Sequence, residues 1–138
     1  MIAHASFEAL NGNANVQPKY VNLFIQLDAK AVEMKKMTGV EDIKKQIKDV
    51  FSTDSDLAIK IAYCESELTQ FKNGKIYRGE KNKNDIGIFQ INSIIWKDEI
   101  LQQKLDIYTT SGNIHFAYWL YYNFGTKPWY LSQGCWDK

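Results

Sequence analysis

"DIGIFQIN", residues 85–92, is the stretch on which the fold class turns. It closes a longer segment, "KNGKIYRGEKNKNDIGIFQIN" at 72–92, that has few helix formers, an Asn-Gly turn signal and a β-prone run at either end. "KIYRG" and "IGIFQI" therefore read as a small hairpin or irregular sheet with a polar loop between them. Outward from this segment the pattern is helical. Tyr20, Phe24, Leu27, Ala31 and Met34 recur at helical spacing, with Gly39 placed to end that helix, and Val40, Ile43, Ile47, Val50 and Phe51 repeat the pattern. "STDSD" at 52–56 offers several caps for a helix over 56–68. Ser93 is placed to cap a helix to about Leu105, and Asn113 to start another that runs to Phe124, where Gly125 and Pro128 stop it. The expected class is α+β and mostly α, with several helices around one β-hairpin. Residues 1–17, with the turn composition of "NGNANVQP" at 11–18, are expected to form a flexible arm before a single domain over 18–138.

At 138 residues the chain suffices for one domain with a real core, and a composition 45% apolar and 24% charged is that of a globular protein. The formal net charge of +1 predicts no strong field, which argues against nucleic acid or an anionic membrane as the main partner. Lys35, Lys36, Lys44, Lys45 and Lys48 alternate with Glu33, Glu41, Asp42 and Asp49, as on a solvated helical face. No apolar run reaches transmembrane length, so no integral membrane segment is expected. The start "MIAHAS" carries an A-x-A pattern with no signal region before it: a stub of a removed signal peptide behind an added Met, or chance. In a secreted protein the two cysteines pair, and in a cytosolic one they remain thiols.

One carboxylate stands out in "IAYCESELTQF" at 61–71. Leu57, Ile61 and Glu65 share a helix face with Ala58 and Ala62 beside them, whereas Glu67 projects around toward solvent. Burial favours the neutral form of a carboxyl group, and the negative end of the helix dipole adds to this. A carboxylic acid that keeps its proton near neutral pH is a candidate general acid. On spacing alone, a Glu snorkelling from the stripe or paired with a lysine is the simpler reading. Downstream, Asp85 precedes the short β run, with Gln90 and Asn92 near its end. One dehydrated and one polar carboxylate facing each other are what glycosidic cleavage requires: the first protonates the leaving oxygen, the second stabilises or captures the oxocarbenium-like centre. Amides at 90 and 92 suit sugar hydroxyl and acetamido groups, and the rings of Trp96, Tyr118, Trp119 and Trp129 suit pyranose faces or simply a filled core.

In their order these residues resemble the lysozyme superfamily, including the lytic transglycosylases. Glu65–Ser66 followed by "DIGIFQIN" is similar to the family's catalytic Glu-Ser pair and its G-x-x-Q segment, and "D-x-G-I-F-Q-I-N-S" to animal-type lysozymes. "N-I-x-x-A-Y-W-L" at 113–120 resembles a transglycosylase helix, and Cys64 before Glu65 with Cys135 before Trp136 is similar to resuscitation-promoting-factor domains, where these cysteines are bridged. The resemblance covers about 56–136 and none of 1–50. It implies a lysozyme-like fold with a substrate groove, and cleavage of the β-1,4 bond between N-acetylmuramic acid and N-acetylglucosamine in peptidoglycan. It implies Glu65 as general acid with Ser66 as a neighbour ordering that site, Asp85 as second carboxylate, and Gln90, Asn92 and Tyr118 binding the glycan or supporting Glu65. Trp129 joins the expected substrate-binding residues through its ring alone. It further implies a Cys64–Cys135 disulfide. The chain mixes two patterns: animal-type lysozymes use the Asp, while many transglycosylases let the substrate's acetamido group assist. It also has "GTKPWYLSQGCW" where transglycosylases commonly carry A-Y-N-A-G, so hydrolysis and anhydro-sugar formation both stay open. A monomer without cofactor, acting outside the cell or in the periplasm on cell-wall glycan strands, is expected, and a phage-encoded lysin reads the same.

Rival chemistries have less behind them. His4 and His115 are far apart and no Cys/His spacing suits zinc, so no metal is expected. Cys64 with His115 is a conceivable nucleophile pair, and no Gly-rich phosphate loop is present. The rival of another class is a non-catalytic module of the same fold that holds peptidoglycan without cutting it.

Overall fold

A computed structural model describes residues 18–138, so the arm expected at 1–17 lies outside the described residues. The chain divides into two units, Met1–Thr38 and Gly39–Lys138. Helix α1, Pro18–Phe51, runs through both. The expected stop at Gly39 does not occur. Gly39 lacks the positive φ of a glycine C-cap, and a glycine inside a helix costs only about 1 kcal/mol, which the following turns offset by burying Ile47 and Phe51. In the first unit Val21, Leu23, Ile25, Leu27, Val32 and Met34 are exposed.

The second unit is α+β and mostly α. After a 3-10 turn at Ser52–Asp54 comes α2, Ser55–Ser66, starting one residue earlier and ending two earlier than the pattern predicts. It ends because Glu67 and Leu68 both take left-handed φ values, 53° and 59°, the first as the C-cap. The β region is two minimal antiparallel pairs, not one hairpin: β1 (Phe71–Lys72) with β2 (Lys75–Ile76), and β3 (Asp85–Ile86) with β4 (Ile91–Asn92). An Asn73-Gly74 turn closes the first pair, with both φ values positive as a tight hairpin requires. A single bridge between Arg78 and Ile86 joins "KIYRG" to the second pair, so the two runs meet as expected but by one rung.

Helix α3, Lys97–Gln103, lacks the expected Ser93 cap. Instead the Asn92 side-chain oxygen accepts from the backbone N–H groups of Ile94 and Ile95, at 3.1 and 2.9 Å, and organises the turn before it. Helix α4, Thr110–Phe124, starts three residues before Asn113, with Thr109 as cap accepting from Gly112 N at 3.0 Å, and Gly125 ends it. A second 3-10 segment, Lys127–Ser132, leads into α5, Gln133–Trp136. The core gathers Ile47, Phe51, Ile61, Ile86, Ile88, Phe89, Ile107, Ile114, Phe116 and Leu120 from α1, α2, β3 and its turn to β4, the loop before α4, and α4. No helix among the described residues is long and apolar enough to cross a membrane.

Candidate active site

Two buried amides position the β3–β4 turn. Gln70 Oε1 accepts from Ile88 N at 3.0 Å while its Nε2 donates to Ile107 O at 3.1 Å. Asn113, fully buried on α4, accepts from Phe89 N at 3.0 Å and donates to Ile86 O and Ile107 O at 2.9 and 3.0 Å. Polar groups this deep are tolerated because each atom is paired. Gly87 lies between the two amides with φ +69°, and a Cβ there would stand 2.2 Å from Gln70 Oε1 and 2.7 Å from Asn113 Nδ2. Only glycine meets both the backbone and the space requirement.

This turn sets Asp85 and Asn92 opposite each other in the β3–β4 register. Asn92 Nδ2 donates to Asp85 Oδ1 at 2.8 Å, and the other end of the amide is the acceptor for Ile94 and Ile95 described above. Asn92 therefore holds the Asp85 carboxylate in a polar setting, with its amide oxygen committed to the turn and one of its two N–H donors to Asp85. Gln90 takes φ +49°, an unusual value for a side chain of its size, and its Nε2 donates to Gly87 O at 2.9 Å. Its Oε1 lies beside Gly79, as does Asp85 Cβ: a Cβ built at that glycine would meet them at 2.9 and 3.2 Å.

Glu65 is half-buried near the C-terminal end of α2. Burial pushes its carboxyl group above the ordinary carboxylate range; a hydrogen bond from Ser132 Oγ, 2.5 Å away, opposes the shift, and the negative charge of Asp85 adds to it. The charge of Asp85 thus reaches a carboxyl group that burial has dehydrated, while Asp85 itself carries a hydrogen bond from an amide. Glu67 is exposed, as the helical geometry predicts.

The other predicted residues divide. Ser66 is buried, with Oγ donating to Ile88 O at 2.7 Å and accepting from Thr69 N at 3.0 Å, so its hydroxyl ties α2 to the turn and is not offered to a ligand. Trp129 is 4% exposed; its ring packs on Phe89, 5.8 Å between centroids, and Nε1 donates to Phe89 O at 2.9 Å. It is a core strut without an open face, packed on and bonded to Phe89 of the turn. Tyr118 is exposed on α4, edge-on to Phe51 at 5.3 Å, and its ring is accessible. Trp96 and Trp119 are half-buried and pack against Phe124.

Cys64 and Cys135 are bridged, Sγ to Sγ at 2.03 Å, and no free cysteine exists in the chain. A cysteine nucleophile is therefore excluded, and His115 Nδ1 is engaged with Ser111 on its own helix. No group of three or more His, Cys, Asp or Glu side chains among the described residues is arranged to hold a metal ion. Sequence reasoning missed Gln70 as a support for the turn and Ser132 as the partner of Glu65. The signal for Ser132 was its place three residues before Cys135, which the implied bridge brings to α2. No protein-family model, curated protein or solved structure matches the chain.

Proposed function

We propose that the chain is a peptidoglycan-cleaving glycosidase with a lysozyme-like fold, in which Glu65 is the general acid. The observation that carries this reading is the unlike environment of two carboxyl groups: Glu65 desolvated, biased toward its proton and held against Ser132, Asp85 in a polar hydrogen-bonded frame. Glu65 gives its proton to the glycosidic oxygen as the β-1,4 bond between N-acetylmuramic acid and N-acetylglucosamine breaks. The Asp85 carboxylate, fixed by Asn92, faces the positive charge that develops at the anomeric carbon. Gln90, the second amide N–H of Asn92 and the accessible ring of Tyr118 are the groups that contact the glycan. The disulfide fits action outside the cytoplasm, in the cell wall.

Turbidity of purified bacterial walls tests the reading. The wild-type chain clears them and Glu65→Gln does not. Clearing that survives Glu65→Gln refutes the mechanism, and clearing by neither protein favours the non-catalytic binding module. Mass spectrometry of the fragments then decides the second step. A reducing muramic acid end means water attacks, with Asp85 assisting; a 1,6-anhydro end means the sugar's own hydroxyl attacks.

A further inference from the structure

The Ser132 hydroxyl stands at a three-way junction. Its oxygen lies 2.5 Å from Glu65 Oε1, 3.1 Å from the Trp129 carbonyl oxygen and 3.1 Å from Trp136 Nε1. An indole N–H only donates, and Trp136 shares its one proton between the serine oxygen and the Trp129 carbonyl oxygen, 3.2 Å away. Towards Trp136 the serine can therefore act only as acceptor, while the carbonyl keeps a second lone pair. A hydroxyl has one proton and one further lone pair to place. With Glu65 ionised, the serine proton goes to the carboxylate, the stronger acceptor because it is charged. With Glu65 protonated, its O–H donates to the remaining lone pair, and the serine proton turns to the Trp129 carbonyl. Every donor at the junction has an acceptor in both states.

We propose that Ser132 is a positioning residue for Glu65: its hydroxyl reverses one hydrogen bond, with the Trp129 carbonyl as alternative acceptor, and so holds the carboxyl group in one place whether protonated or ionised. The proposal rests on the reading of Glu65 as a general acid, which must pass through both states in each turnover. The frame is rigid on each side. Trp129 is anchored by its bond to Phe89 O, and the Cys64–Cys135 bridge ties the segment after Ser132 to the residue before Glu65. On the elements packed against α2 the titratable groups are Asp54, Lys127 and Tyr130, with Asp85 on β3; of these Asp85 is the one whose charge acts on Glu65, and Asp54 acts on Tyr121.

The test is a carbon-13 NMR titration of the Glu65 carboxyl group in the oxidised full chain, beside the pH profile of wall clearing. Ser132→Ala removes the charge-assisted bond, so the Glu65 midpoint moves to higher pH, the alkaline limb of the clearing profile moves with it, and clearing slows by roughly tenfold to a hundredfold. Ser132→Thr keeps the hydroxyl and stays near wild type, while Ser132→Val, of the same volume as Thr, behaves as Ala does. An unmoved or lowered midpoint in Ala and Val, or a Thr variant shifted as far as Val, overturns the proposal. The NMR shift is read without activity. A shift of the expected pattern in a protein that clears no wall leaves the hydrogen-bond switch standing and removes the glycosidase reading; clearing with an unmoved midpoint does the reverse.

Discussion

Gly87→Ala probes the frame that carries Asp85 and Gln90. Two costs add at this position. The backbone at φ +69° is unfavourable to an L side chain by roughly 1–2 kcal/mol. The new Cβ, 2.2 Å from Gln70 Oε1 and 2.7 Å from Asn113 Nδ2, must also displace at least one of two fully paired buried amides. Leaving Ile88 N or Phe89 N without its acceptor costs about 1–3 kcal/mol for each bond lost. The sum is about 2–5 kcal/mol, a large part of the roughly 5–15 kcal/mol that keeps a domain folded. With a guanidinium m-value on the order of 3 kcal/mol/M, the unfolding midpoint falls by about 0.7–1.7 M. Gly74→Ala is the internal control: its φ is +73°, nearly the same, but nothing lies within 4 Å of the added Cβ, so only the backbone cost of roughly 1–2 kcal/mol remains. Denaturation of both variants, followed by tryptophan fluorescence, measures the difference. Equal midpoints for the two would refute the claim that Gln70 and Asn113 clamp the turn at Gly87.

Three further outcomes are expected. Unfolded, unreduced protein titrates no free thiol, and Cys64→Ser/Cys135→Ser loses about 4 kcal/mol of stability, since the bridge closes a sequence separation of 71; two titratable thiols would contradict it. Glu65→Gln gains stability over wild type as pH rises. The folded carboxyl group is raised above its unfolded value of 4.5, so folding takes up protons; that stability is full below 4.5, declines as pH climbs toward the folded midpoint, and is absent above it, while Gln is indifferent. A stability difference independent of pH in paired melts from pH 4 to 8 would show that Glu65 is not perturbed. Asp85→Asn lowers wall clearing at least tenfold if Asp85 faces the developing charge, whereas near-normal clearing assigns that work to the substrate's acetamido group.

Local chemistry was legible where one or two residues decide the backbone. Asn73-Gly74 makes its hairpin turn, Gly125 ends α4, and the stripe through Leu57, Ile61 and Glu65 brings the carboxyl group to a half-buried place. Where the sequence misled, a distant partner had overridden a local preference. Gly39 stays helical because the turns after it bury Ile47 and Phe51. Asn113 reads as a helix start, yet it lies in the first turns of α4 as a fully buried crosspiece to Ile86, Phe89 and Ile107. Trp129 has the composition of a sugar platform and the position of a core strut, a distinction that burial alone makes. Of the Glu65 surroundings, Asp85 was visible through its motif. Ser132, 67 residues away with no periodicity to link them, was not.

The distance between Glu65 and Ser132 along the chain also sets an order of events during biosynthesis. A ribosome adding about 5–20 residues per second needs several seconds to pass from one to the other. Throughout that interval the carboxyl group has neither its hydroxyl partner nor the indole that orients it, and the cysteine beside it has no mate. Closing the Cys64–Cys135 link then requires an oxidant as well as the arrival of Cys135. The neighbourhood of Glu65 is therefore among the last parts of the protein to mature, completed by oxidation as much as by folding.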